Sequence, residues 1–297
     1  MKVLAPLGTF QIILVDDRSP DDSWAVIKQL STTNASITGI RLSRNFGQHY
    51  AITAGLRAAV GEWVVVMDAD LQDPPEAIPS LLEKAREGYD IVLARRQRRT
   101  HNVFKVAGSK LFYRIFALLS GYRLDPTVGA FRVMKRTVVE SFNSMNETYR
   151  LFGAMIHWLG FKVGYHDVDQ GKRFEGKSSY NLSKMLGLAL DGIISFSNRP
   201  LYFATGFGAL MAVAAGFYGI YLLLHHFFIG QFAVSGWLST IVLTTFIGGL
   251  VLLNLGIIGI YIGRIYDQTK GRPLFVIDEV IGGKYSDSAV AKNSIGA

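Results

Sequence analysis

The chain has 297 residues and carries 31 Lys and Arg against 23 Asp and Glu, a formal charge of +8. It has no cysteine, which excludes disulfides, iron–sulfur clusters and thiolate zinc sites. The length suits about two structural units, and a mean hydropathy of +0.25 is high for a soluble protein.

The first predicted strand is FQIILV, Phe10–Val15, which runs into Asp16 and Asp17. DDSWAVIKQL follows with helical spacing, and Asp21 and Asp22 serve as its N-terminal signal. Next come a strand ITGIRL (Ile37–Leu42), a helix GQHYAITAGLRAAV and a strand EWVVVM (Glu62–Met67). A helix PEAIPSLLEKAREG, opened by Pro75, and a strand YDIVLA (Tyr89–Ala94) complete the alternation. Strands alternating with helices predict an α/β fold, a mostly parallel sheet covered by helices on both faces. In such sheets ligands bind beyond the carboxyl ends of the strands.

That rule gives meaning to VVVMDADLQDPPE, Val64–Glu76, where a buried-looking strand ends in Asp68, Asp70 and Asp73. In extended chain Asp68 and Asp70 point to the same side, about 6–7 Å apart along the backbone. Like charges so close are tolerable around a cation, and oxygen ligands suit Mg²⁺ or Mn²⁺, which keep waters and take further ligands from substrate phosphates. Solvated loop acids are the alternative for a lone D-x-D. The chain has neither a G-x-x-x-x-G-K-[ST] loop nor a G-x-G-x-x-G turn after a strand, so P-loop and Rossmann readings lack their phosphate cradle.

The basic run at Arg95–Arg99 reads as a contact with anionic headgroups. After it, the amphipathic stretch His101–Leu124 carries Lys105, Lys110, Arg114 and Arg123. NLSKMLGLALDGIISFS, Asn181–Ser197, suits a helix lying in a membrane interface. From Pro200 to Gly263 there is no Asp, Glu, Lys or Arg. Two membrane helices, Leu201–Leu224 and Trp237–Tyr261, with a short turn would fill that stretch; one large buried helical core is the alternative. Lys172, Arg173, Lys177, Lys184 and Arg199 precede the spans, and Arg264, Lys270 and Arg272 follow them. The positive-inside rule therefore puts both flanks in the cytoplasm and the turn outside. His225 and His226 read as polar punctuation at the membrane surface rather than as metal ligands, and no signal segment opens the chain.

VDDRSPDDS (Val15–Ser23), the stretch Leu42–Glu76, DPTVGAFRVMKR (Asp125–Arg136) and RFEGKSSY (Arg173–Tyr180) occur in this order, followed by the two apolar spans. Together they resemble the family 2 glycosyltransferases that charge polyprenyl phosphate with a sugar. Bactoprenol glucosyltransferases are the nearer likeness and dolichol-phosphate mannose synthase the more distant one. The resemblance runs from about Phe10 to Arg272. It implies a GT-A type domain in residues 1–180, an interfacial helix in 181–199, a transmembrane hairpin in 200–263 and a cytoplasmic tail in 264–297.

By the same resemblance Asp17 contacts the nucleoside, Asp16 and Asp68 are nucleotide-sugar contacts, and Asp68, Asp70 and Gln72 hold the Mg²⁺ or Mn²⁺ that bridges the diphosphate. Arg95, Arg132, Arg173, Lys177, Ser178 and Tyr180 are further nucleotide-sugar contacts. Lys177 stands where the family often has Glu, and Ser179 where it has Lys, which leaves open the residue that supplies the cation. Asp125, in the pattern Asp-x-Thr-x-Gly-x-Phe-Arg, is the base or acceptor-orienting group. Lys110 and Arg123 match the basic positions for lipid phosphate. A lipid phosphate arrives anionic, since its second ionisation lies at about pH 6, so positioning and charge stabilisation outweigh deprotonation.

The partners implied are a nucleotide sugar (UDP-glucose foremost), polyprenyl phosphate and the plasma membrane, with no nucleic acid. A homo-oligomer and a lipid-sugar flippase are further candidates. Members of the family open with an apolar strand and a helix before the strand that ends at Asp16, and MKVLAPLGT stands in their place here. The domain is thus expected to lack that strand, and a non-catalytic membrane scaffold is one alternative. A processive polysaccharide synthase is the other, although the Gln-x-x-Arg-Trp acceptor motif is absent and two spans are few for a secretion channel.

Overall fold

The computed structural model describes residues 1–70, 72–96, 117–119, 125, 127–169, 192–194, 197–229 and 237–282. They fall into two units: one is built on β-sheets, and the other contains two long apolar helices.

In the sheet unit the order is β1 (Ile12–Asp16), α1 (Ser23–Thr33), β2 (Ile37–Leu42), α2 (Gln48–Ala58), β3 (Trp63–Val66), α3 (Ile78–Arg86) and β4 (Ile91–Arg96). After these come β5 (Val128–Lys135), α4 (Arg136–Ser144), α5 (Phe152–Trp158) and β6 (Val163–Val168). Each predicted strand and helix before Arg95 is present, with ends moved by a few residues. Helix α3 shows why such patterns are legible. Ile78, Leu81 and Ala85 recur on one face and are buried, Pro79 occupies the first turn, where its missing N–H costs nothing, and Gly88 ends the run at φ 96°.

The strands form two hydrogen-bonded sheets, β1-β2-β7 and β3-β5-β4-β6, where β7 is Ile277–Ile281. Among the described residues no strand links β1 to β3. The pairing is mixed rather than mostly parallel: β1–β2 and β4–β6 run parallel, while β2–β7, β3–β5 and β4–β5 run antiparallel. The reason is β5, which enters between β3 and β4 and runs against both. Its core face sets Phe131 and Val133 against Ile78, Leu81, Val92 and Val168. A second cluster joins Ile40, Leu42, Ala54, Ala58 and Phe275. Each such large side chain, fully buried, contributes about 1.5–3 kcal/mol.

The segment 264–297, expected as a cytoplasmic tail, supplies Phe275 and β7 to the sheet unit. Ser43 donates its N–H to Val276 O, and Gly39, Ile40 and Arg41 pair with Ile281, Val280 and Glu279. Gly282 ends this strand at φ 71°, and a Cβ there would lie 2.5 Å from Ile37 O and 3.0 Å from Ser31 O. Gly282→Ala is therefore expected to destabilise the sheet unit by about 1–3 kcal/mol, because the obstructing atoms are backbone. Denaturant unfolding of the purified chain measures this, and an unchanged midpoint would mean that β7 adjusts freely.

The other unit contains α6 (Arg199–Ile229) and α7 (Trp237–Thr269), both long and apolar enough to cross a membrane. At about 1.5 Å per residue each exceeds the roughly 30 Å hydrocarbon thickness. Phe203, Leu210, Phe217, Leu252 and Ile262 are exposed along them, an arrangement that lipid satisfies and water does not. Thr205 and Asn254 turn their side-chain donors back onto Leu201 O and Leu250 O, as polar groups in an apolar helix must. Both helices extend beyond the spans expected from hydropathy.

Candidate active site

The carboxyl end of β1 places Asp16 and Asp17 on successive sides of the strand, and the two do different work. Asp16 is buried, accepts the Ser19 N–H at 3.0 Å and lies 3.5 Å from Arg41 Nε, its partner in the β1–β2 register. Asp17 accepts the N–H groups of Phe46 and Gly47, each at 2.7 Å. Both of its oxygens thus fasten the β1 loop to the turn before α2. Gly47 sits there at φ 104°, a conformation glycine adopts without cost. The next residue, Gln48, opens α2 and donates Nε2 to Asp68 Oδ1 at 2.7 Å. A continuous polar path therefore joins the end of β1 to the end of β3.

Beyond β3 the chain turns. Asp70 accepts the Gln72 N–H at 3.1 Å and Gln72 Nε2 at 2.7 Å, while Asp73 is buried beneath the Pro74–Pro75 turn that starts α3. Asp68, Asp70 and Gln72 fall within five consecutive positions after β3, Asp70 and Gln72 hydrogen-bonded to each other and Asp68 to Gln48. Among the described residues no three His, Asp or Glu side chains converge. A set with two carboxylates and one amide fits a hard cation that keeps waters and completes its shell with phosphate oxygens, as Mg²⁺ and Mn²⁺ do.

On the β5 side, Asp125 Oδ1 accepts both Thr127 N–H (2.9 Å) and Thr127 Oγ1 (2.6 Å), a turn that fixes the carboxylate just ahead of the strand. Arg95 forks onto Asp167, its β4–β6 register partner, at 2.6 and 3.1 Å. That carboxylate, with Asp125 adding to it, raises the guanidinium above its ordinary range. Arg132 is buried opposite Val66 and Leu93, donates to Ala130 O and Gly129 O, and stacks 4.5 Å from the Phe152 ring. Burial, and then the charge of Arg132, push His49 below the usual histidine range, so its imidazole is neutral at pH 7.

Residues 3–142 match the Glycosyl transferase family 2 domain. An uncharacterized glycosyltransferase of Synechocystis sp. is 38% identical over 287 residues, covering 96% of this chain and 90% of that protein. A prophage bactoprenol glucosyl transferase homolog of Escherichia coli is 36% identical over 271 residues, 91% of this chain and 88% of its own length. This chain belongs to glycosyl transferase family 2. A second uncharacterized glycosyltransferase, from Bacillus subtilis, is 38% identical over 274 residues, 92% of this chain and 84% of that protein.

The enzyme is accordingly a glycosyltransferase with a GT-A-like mixed α/β domain. Of the residues expected at a family 2 site, Asp16, Asp17, Asp68, Asp70 and Gln72 lie at the ends of β1 and β3, and Asp125 and Arg132 on the β5 segment. Arg95 is engaged with Asp167. Lys110, Arg123, Arg173, Lys177, Ser178 and Tyr180 lie outside the described residues. Lys105, Arg114 and Ser179 do so as well, as does most of the stretch expected as an interfacial helix. Sequence reasoning missed Gln48, Thr127 and Asp167. Gln48 carried a signal, a polar residue at the first helical position after a glycine turn, but its partner twenty residues on was not readable.

Proposed function

We propose that this glycosyltransferase moves a sugar from a nucleotide sugar, UDP-glucose foremost, to polyprenyl phosphate at the cytoplasmic face of the plasma membrane, with inversion. The observation that carries the reading is the hydrogen-bonded row of acids at the ends of β1 and β3, in a chain that also holds two helices suited to lipid. A relative named for bactoprenol glucosyl transfer supports the acceptor class.

In this reading the bond between the anomeric carbon and the donor's diphosphate oxygen breaks, and its electron pair leaves with the nucleoside diphosphate. A lipid-phosphate oxygen forms the new bond from the opposite face. Asp68, Asp70 and Gln72 are the residues to hold Mg²⁺ or Mn²⁺, which when bound neutralises charge on the departing diphosphate. Asp16 and Asp17 shape the nucleoside end, with Asp17 acting through the Phe46–Gly47 turn it secures. Asp125, held by Thr127, orients the acceptor, and little deprotonation is required of it because the lipid phosphate is already anionic. Lys110 and Arg123 are assigned to that phosphate. Arg173, Lys177, Ser178 and Tyr180 are assigned to the diphosphate, and Arg95 and Arg132 to further nucleotide-sugar contacts. The two helices suited to lipid would anchor the enzyme in the membrane that carries its acceptor. The product would serve a lipid-sugar flippase, and a homo-oligomer is part of the proposal.

Membranes containing the chain, given labelled nucleotide sugars and undecaprenyl phosphate, are expected to yield a label-bearing glycolipid. Formation of polymer instead, or of no product with any sugar of a panel, would overturn the reading.

A further inference from the structure

Strand β7 lies outside every motif the reaction uses, yet two of its side chains hold both ends of the loop between β1 and α1. Asp278 Oδ2 accepts Arg18 NH1 at 2.7 Å, at the start of that loop. Glu279 accepts Trp24 Nε1 at 2.9 Å and Lys28 Nζ at 2.8 Å, at the first turns of α1 where the loop ends. Asp278 and Glu279 are adjacent in a strand, so their side chains leave on opposite faces and can serve two anchors at once.

The loop needs such anchors. Arg18 has φ 58°, the one non-glycine residue in the left-handed region among the described residues. Such backbone persists where its surroundings hold it. Its neighbours are tied locally, Asp17 to Phe46 and Gly47 and Ser19 to Asp16. The tie on Arg18 itself comes from a residue 260 positions later. Strand β7 is a firm base for it, because Phe275 is 2% exposed, lies in the core with Ile40 and Leu42, and carries the Arg57 guanidinium 5.3 Å from its ring.

We infer that Asp278 and Glu279 are positioning residues for the nucleoside end of the site, so that donor recognition depends on the strand made after the second apolar helix. The inference rests on the reading that the β1 loop takes the nucleotide. Both partners of the Arg18–Asp278 pair are about half exposed, so its contribution is that of a screened pair.

The test uses the full chain in detergent, with UDP and GDP as probes in equilibrium binding, followed by turnover with the donor that is bound. Asp278→Asn is expected to weaken nucleotide binding about two- to fivefold, the size of a screened ion pair. Donor KM should rise by the same factor while acceptor KM does not. The exchange Arg18→Asp with Asp278→Arg should recover most of the loss, which a general structural defect would not allow. Glu279→Gln should act in the same direction through Trp24. If the wild-type chain binds nucleotide and Asp278→Asn binds it equally well, the inference fails while the function stands. If the wild-type chain binds neither UDP nor GDP, the donor reading falls and takes the inference with it.

Discussion

Asp70→Asn is expected to lower sugar transfer by about a hundred- to a thousandfold, and excess chelator should have a similar effect on the unmodified enzyme. Asp70 is exposed at the turn after β3, and its two oxygens accept from the backbone and side chain of Gln72. Asn retains an acceptor for that turn, so the fold should survive, and surface substitutions of this kind usually shift stability by less than about 0.5 kcal/mol. What is lost is one negative charge in a set of two carboxylates and an amide, so cation affinity falls with it. Removing a group that stabilises leaving-group charge typically costs about 3–4 kcal/mol of barrier, which gives the expected rate loss. Raising Mg²⁺ or Mn²⁺ should partly restore Asp70→Asn, whereas the wild type saturates at lower concentration. Full turnover in excess chelator would remove the cation from the reading.

For Asp125→Asn the expected result is a fall in kcat of about tenfold to a hundredfold, with donor and acceptor KM changing less. Thr127 donates both its N–H and its hydroxyl to one oxygen of Asp125. The amide oxygen of Asn can accept both, so the segment leading into β5 should keep its shape. The missing charge is then the variable. An orienting role predicts a loss that is the same at every pH above about 6, where the lipid phosphate is doubly ionised. A proton-abstracting role predicts recovery as pH rises. The measurement is kcat against pH for both proteins, and recovery of the variant at high pH would reassign Asp125 as a base.

Much of the architecture was legible because it is local. The strand run Ile37–Leu42, buried at five of its six positions, and the apolar spacing of Ile78, Leu81 and Ala85 depend only on neighbours along the chain. The two apolar helices were legible from the absence of charge between Pro200 and Gly263. The acids after β1 and β3 were legible as strand ends, but the expectation that they share one sheet edge was not met, because β1 and β3 belong to different sheets and it is Gln48 that reaches from the α2 turn to Asp68.

Tertiary structure alone decided what those strands and acids meet. The sequence of β5 does not say that it runs against both β3 and β4, because a buried strand reads the same in either direction. IDEVI carries two acids in five residues and lies in the stretch expected only as a cytoplasmic tail. It becomes a strand through Phe275 in the core and through Trp24, 255 positions away from Glu279. The Asp17 carboxylate is spent on the Phe46 and Gly47 amides, and Gln48 reaches Asp68, because folding brings three loops together. Local periodicity is fixed by the geometry of a few consecutive residues. Partner choice between distant segments is fixed by the burial and hydrogen bonding that only the closed chain provides.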